Sequence, residues 1–248
     1  MGRLSDGIKH LLLLNILFFV ASNLYGDRLV DLLALWFPQN PNFALWQVVS
    51  HMFMHGGLMH IFFNMYALWA FGSPLERMWG TQKFVFFYFS AGIGAALIHT
   101  GVNYYHVHQG IDALVAAGQQ EVEILNILAQ GKFDTSWAQM VPDGVVNRML
   151  DSYFTPAVGA SGAIYGILVA FGMSFPNSEL FLIFLPIPIK AKYFIPALIA
   201  LDLFSGVTGY SVFGGGIAHF AHVGGALFGF LMMWYWRRNQ FNRNRWDL

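Results

Sequence analysis

Six long apolar runs, separated by polar stretches, set the first expectation for this chain. They fall at about 10–25, 57–74, 82–102, 157–175, 193–211 and 216–236. Roughly 20 apolar residues in a helix cross a hydrocarbon core, so the runs predict an all-α membrane bundle of six transmembrane helices, filling 1–248 as one domain. The first run is short and follows Arg3 and Lys9. It therefore reads either as a span or as a cleavable leader ending near Val20-Ala21-Ser22. Between runs one and two, Leu29, Leu32, Leu33 and Trp36 recur at helical spacing, and Trp46, Val49, Phe53 and Met54 follow. Such half-apolar, aromatic stretches suit elements lying in the membrane interface. A polar insert occupies about 103–155, where Val122, Leu125 and Ala129 fall at i, i+3 and i+7, with Leu128 beside them. That spacing predicts at least one amphipathic helix, in a small cap resting on the lipid surface. Pro176, Pro186 and Pro188 mark 177–192 as a connection, with helix resuming near Lys192. No internal repeat is visible, which argues against a transporter of inverted repeats.

Composition sharpens this reading. Hydrophobic residues make up 56% of the chain and charged residues 10%, too little charge for the surface of a soluble domain. Zero net charge gives no reason to expect nucleic acid as a partner. With no cysteine, disulfides and thiolate metal sites are excluded. Ten of the thirteen basic residues, including Arg77, Lys83, Lys190, Lys192 and Arg237, fall on one side of the six-span topology. The positive-inside rule then puts both termini in the cytoplasm.

Against this apolar background, polar residues inside the runs become the candidate chemistry. Ser161 opens run four and His222 lies near the start of run six. A hydroxyl and an imidazole are the minimum parts of a nucleophile with a general base. Pro156 and Gly159 keep helix from beginning much before Ser161, and only fifteen residues separate Ser161 from Phe175 inclusive. That is about 22 Å of helix, short of a core about 30 Å thick. Irregular backbone at such depth is tolerated where it lines a wet cavity, so Ser161 is expected at the floor of a pocket that opens outward.

Two small-residue stripes offer a way to bring the pair together. Gly162 and Gly166 lie on run four, and Gly225 and Gly229 on run six, with His222 on the latter's face. Docked as parallel helices, the stripes would carry hydroxyl and imidazole to similar depth. His60 and Asn64, four apart on run two, would present two polar groups on one face. Together with backbone N–H groups at the start of the Ser161 helix, they could hold an oxyanion. The plainer readings are a membrane serine bonded to its own helix carbonyl and a histidine that only packs. His51 and His55 have the spacing of a zinc helix, but Met52 stands where metalloprotease chemistry needs glutamate, so no metal is expected. His219, His99, His106 and His108 read as structural or interfacial. Asp202, in run five, either pairs with a donor in the bundle or faces the cavity.

These residues together resemble the rhomboid family of intramembrane serine proteases, in its bacterial type with six transmembrane helices. The likeness rests on Trp46, on His51-x3-His55-x4-His60-x3-Asn64, and on Glu76-Arg77. Gly159-Ala160-Ser161-Gly162 with Tyr165, and Ala221-His222-Val223-Gly224-Gly225-x3-Gly229, complete it. The resemblance implies that Ser161 is the nucleophile and His222 its base, as a dyad with no aspartate. It further implies that His60, Asn64 and the backbone at Ala160 and Ser161 line the oxyanion hole beside Gly159, and that Tyr165 packs on the His222 ring. Glu76 would be structural, and Trp46 and His55 would belong to the immersed loop and the pocket rim. Transmembrane proteins in a lipid bilayer are the implied substrates, no cofactor is called for, and a bacterial inner membrane is the implied location. Two departures stand out: Gln47 follows Trp46 where the family often has arginine, and the 103–155 insert is long. A non-enzymatic relative that binds transmembrane helices, and a haem or proton-relay protein, are the competing classes.

Overall fold

The computed structural model describes residues 4–182, 185–210 and 216–243. Helix α1 (Asp6–Tyr25) leads through Gly26 into a short α2 (Asp27–Leu33). The first loop then forms α3 (Gln47–Ser50) and a single tighter turn, His51–Phe53. Helix α4 (Leu58–Ala67) widens through a π-turn at Leu68–Gly72 into α5 (Ser73–Trp79). Pro74 opens α5, and its missing N–H leaves a carbonyl of the preceding turn unserved, which is where a wider turn is accommodated.

Helix α6 (Thr81–Ala116) spans 36 residues, about 54 Å at the helical rise. It continues far into the stretch expected to be insert. There it carries α7 (Glu121–Ala129), α8 (Trp137–Met140) and α9 (Val145–Phe154). Phe37, Val107, Ile111, Leu114, Ile124 and Trp137 join in a second core under these helices. The expected amphipathic helix is present, with Leu128 buried as expected but the rest of its buried face shifted. Val122 is 70% exposed and Ala129 is exposed, whereas Ile124 and Leu128 are fully buried.

Helix α10 (Ser161–Ser174) is the hub of the main core, with every residue from Gly162 to Phe171 buried. A helix apolar all round belongs inside a bundle, and α10 packs against both α6 and the final helix. A two-stranded antiparallel ribbon, β1 (Glu179–Leu182) and β2 (Leu185–Lys190), forms within the 177–192 connection. Pro186 and Pro188, read as breakers, are carried in β2 because a two-stranded ribbon has only edge strands. Helices α11 (Ala191–Thr208) and α12 (His219–Arg243) complete the bundle. The expected end of run five at residue 211, and the basic residues Arg3 and Arg245, lie outside the described residues.

The architecture is thus an all-α membrane bundle with one small ribbon. Among the described residues, α1, α6 and α11 are both long and apolar enough to cross a membrane, and α10 is a shorter apolar helix.

Candidate active site

The helix that carries Ser161 is placed by the chain before it. Leu35 and Ala157 exchange backbone hydrogen bonds, each at 2.9 Å, and the Gly159 N–H donates to the His51 carbonyl at 2.9 Å. The first loop therefore fixes the approach to α10. Gly159 has φ of +123°, and a Cβ there would lie 2.7 Å from His60 Nε2. Backbone conformation and lack of space both require glycine at this position. Ala160 is fully buried as the N-cap, and Ser161 is the first helical residue. The amides at this helix start have no intrahelical acceptor, whereas the Gly159 amide is already committed to His51.

The loop owes its shape to Gln47. Its Nε2 donates to the Asn42 carbonyl at 2.7 Å and reaches the Asp31 and Leu32 carbonyls at 3.2 and 3.3 Å, while its Oε1 accepts from the Trp36 amide at 3.3 Å. At the position where the family often has arginine, a fully buried amide stitches the loop internally. His51 Nδ1 bonds the Gln47 carbonyl at 2.7 Å, and His55 Nδ1 lies 3.3 Å from the Phe53 carbonyl.

Helices α10 and α12 meet through their glycines. A Cβ on Gly225 would sit 1.8 Å from the Gly162 carbonyl oxygen, and one on Gly229 would sit 2.6 Å from the Gly166 Cα. The paired numbers rise together, so the helices run parallel. One turn before Gly225, the His222 Nε2 stands 2.8 Å from Ser161 Oγ. Tyr165, one turn into α10, stacks on the His222 ring with centroids 4.2 Å apart and planes 12° apart.

His60 approaches from α4. The Gly56 N–H donates to His60 Nδ1 at 3.3 Å, which in a neutral ring leaves Nε2 as the protonated nitrogen. That Nε2 faces the Gly159 backbone beside the serine. Asn64 is buried one turn further along α4. A narrow cavity adjoins Ser161, walled by His51, Ala95, His99, Val158 and Gly159 among others.

For Asp202 the sequence left two readings open, and for His219 it gave no part in the site. Asp202 of α11, 3% exposed, is paired rather than open to the cavity. Its Oδ1 lies 2.6 Å from His219 Nδ1 and 3.1 Å from His222 Nδ1, and the Tyr165 hydroxyl donates to its Oδ2. The expected serine–histidine pair without an acid thus has a carboxylate on the far side of its imidazole. His219, read as structural or interfacial, shares that carboxylate. The available signal was spacing, since His219 and His222 are one helical turn apart and Asp202 is an acid in an apolar helix. Among the described residues, Asp202, His219 and His222 also form the one group of side chains close enough to hold a metal ion.

Far from the serine, Glu76 ties α5 to the start of α1. Its carboxylate accepts from the Gly7 and Ile8 amides at 2.7 and 2.9 Å, from Thr81 Oγ1 at 2.6 Å, and from the Ser5 hydroxyl. Burial pushes the carboxyl up, but the donors from Ser5, Thr81, Ile8 and Gly7 outweigh it and hold the group below the ordinary glutamate range.

The profile of the family described as "Rhomboid domain" matches residues 42–119 and 126–239. The mitochondrial presenilin-associated rhomboid-like protein of Bos taurus is 31% identical over 184 residues, covering 74% of this chain and 35% of that protein. Rhomboid protein 1, mitochondrial, of Saccharomyces cerevisiae is 24% identical over 188 residues, 76% of this chain and 41% of that protein. Rhomboid protease GlpG of Klebsiella pneumoniae is 40% identical over 77 residues, 30% of this chain and 28% of that protein. The chain spans about a third of the length of the animal relatives it matches. With most of its length under the family profile, and with serine, imidazole and glycine stripes arranged as described, this chain belongs to the rhomboid family.

Proposed function

We propose that this chain is an intramembrane serine endopeptidase that cuts transmembrane segments of other proteins near the outer membrane face. The observation that carries the reading is the 2.8 Å contact between Ser161 Oγ and His222 Nε2, inside a bundle of the rhomboid family. As the Ser161 oxygen attacks a peptide carbonyl, Nε2 takes its proton, then returns it to the leaving amine. Water resolves the acyl-enzyme with the same imidazole as base. In this reading His60 Nε2–H and the Asn64 amide, with the N–H groups of Ala160 and Ser161, stabilise the oxyanion. Stacking of Tyr165 limits rotation of the His222 ring.

A helical substrate hides its carbonyls in its own hydrogen bonds, so it must unwind before attack. Helix-weakening residues near the cut, with a small side chain before it, are the expected preference; the narrow cavity beside Ser161 supports the latter. The proposed topology has six crossings with both termini cytoplasmic. The animal and yeast relatives are mitochondrial by name, so the comparisons do not favour the bacterial inner membrane expected from the sequence. What the findings support most broadly is an integral membrane location.

Fluorophosphonate labelling and cleavage of a helical reporter test the reading. The native chain is expected to react in both assays, with Ser161→Ala abolishing labelling and both Ser161→Ala and His222→Ala abolishing cleavage. An unlabelled native chain, or a Ser161→Ala variant that still cuts, overturns it.

A further inference from the structure

We infer that Asp202 is a positioning residue of the active site, fixing the proton of His222 on Nδ1 so that Nε2 faces Ser161 as a proton acceptor. The inference rests on the proposed serine chemistry and adds to it a residue from a third helix.

The neutral imidazole of His222 sets the requirement. It carries one proton, so one ring nitrogen donates and the other accepts. A general base facing serine must keep its lone pair on that side. His222 Nε2 faces Ser161 Oγ, and Nδ1 lies 3.1 Å from Asp202 Oδ1. An ionised carboxylate offers only acceptors, so the Nδ1 proton satisfies the contact and the lone pair is left on Nε2. The opposite tautomer would set two acceptors face to face at Asp202 and aim an N–H at the serine.

The carboxylate is itself held from several sides. Oδ1 also receives His219 Nδ1 at 2.6 Å, and Oδ2 receives the Tyr165 hydroxyl. Asp202 is 3% exposed, and a carboxylate so buried depends on such donors to remain charged. Tyr165 has two contacts at once, its ring stacked on His222 and its hydroxyl on Asp202. Ring plane and ring proton are thereby fixed by neighbours that are fixed to each other. The histidines belong to α12, the tyrosine to α10 and the acid to α11, so the arrangement exists only when the three helices are docked.

A plainer alternative is that Asp202 merely glues α11 to α12. The two cases separate in a tautomer measurement and in a split of kinetic constants, using the full chain in detergent micelles. In nitrogen NMR of histidine-labelled protein, with His222 assigned through its own variant, wild type is expected to show Nδ1 protonated and Nε2 unprotonated. Asp202→Asn is expected to lower kcat for the helical reporter by on the order of 10²–10⁴-fold, as loss of the orienting acid does in serine proteases generally. KM should stay within about threefold, because the acid does not touch substrate. A wild-type His222 protonated on Nε2 overturns the inference, even if the variant fails to fold. So does a folded Asp202→Asn variant with kcat within about threefold of wild type. A wild type that neither cleaves nor labels would instead refute the protease reading, and the tautomer would still decide the role of Asp202.

Discussion

Single side chains decide more here than their numbers suggest, and Glu76 is the clearest case. One carboxylate accepts from two backbone amides and two hydroxyls, drawn from α1 and the start of α6. Its folded pKa lies below the ordinary 4.5. A depressed acid stabilises the fold fully above its unfolded value, and that contribution fades as pH falls through the lower folded value. Glu76→Gln should therefore cost roughly 1–3 kcal/mol near neutral pH. The gap to wild type should narrow as unfolding is measured from pH 6 down toward pH 3. A gap that stays constant with pH would contradict this. Ser161 and His222 were legible in the sequence because polar groups stand out in apolar runs. Asp202 was visible for the same reason, but its partner was not. Sixteen residues, some of them loop, separate it from His219, and only docking of α11 on α12 reveals which donors it meets.

At the level of elements, the glycine faces of α10 and α12 carry the strongest expectation. The Cβ of a Gly225→Ala variant would lie 1.8 Å from the Gly162 carbonyl oxygen, so one helix must shift. Overpacking of this kind costs roughly 1–3 kcal/mol, occasionally more, and fluorophosphonate labelling should fall sharply as Ser161 and His222 part. Gly101→Ala, in α6 with nothing within 4 Å of the added carbon, is the control and should be neutral or slightly stabilising in thermal unfolding. Equal effects of the two changes would count against close docking. The start of α10 was readable because Pro156 and Gly159 interrupt helix before Ser161. The face of α7 was not. Its apolar residues occur on more than one side, and the second core beside α6, rather than periodicity, selected Ile124 rather than Val122 to join Leu128. The β-ribbon was hidden by Pro186 and Pro188, residues that forbid central strands but not edge strands.

Across the whole molecule, two cores share one long helix. The main core surrounds α10, while the second lies between the far end of α6 and the helices α7 to α9. Trp137 is fully buried in the second core. Trp137→Ala should cost about 3–5 kcal/mol there, speeding hydrogen exchange across 121–154 while amides of α10 and α12 keep their protection. Loss of protection in α10 as well would mean that the two cores unfold together. The spacing of serine and imidazole, by contrast, is set where Gly162 and Gly225 touch backbone to backbone. No compressible side chain lies between those two strips of main chain. Bilayer thinning or warming can therefore tilt the pair of helices as a single plank, and any change in the reach of the hydroxyl must come from rotation of the side chains themselves.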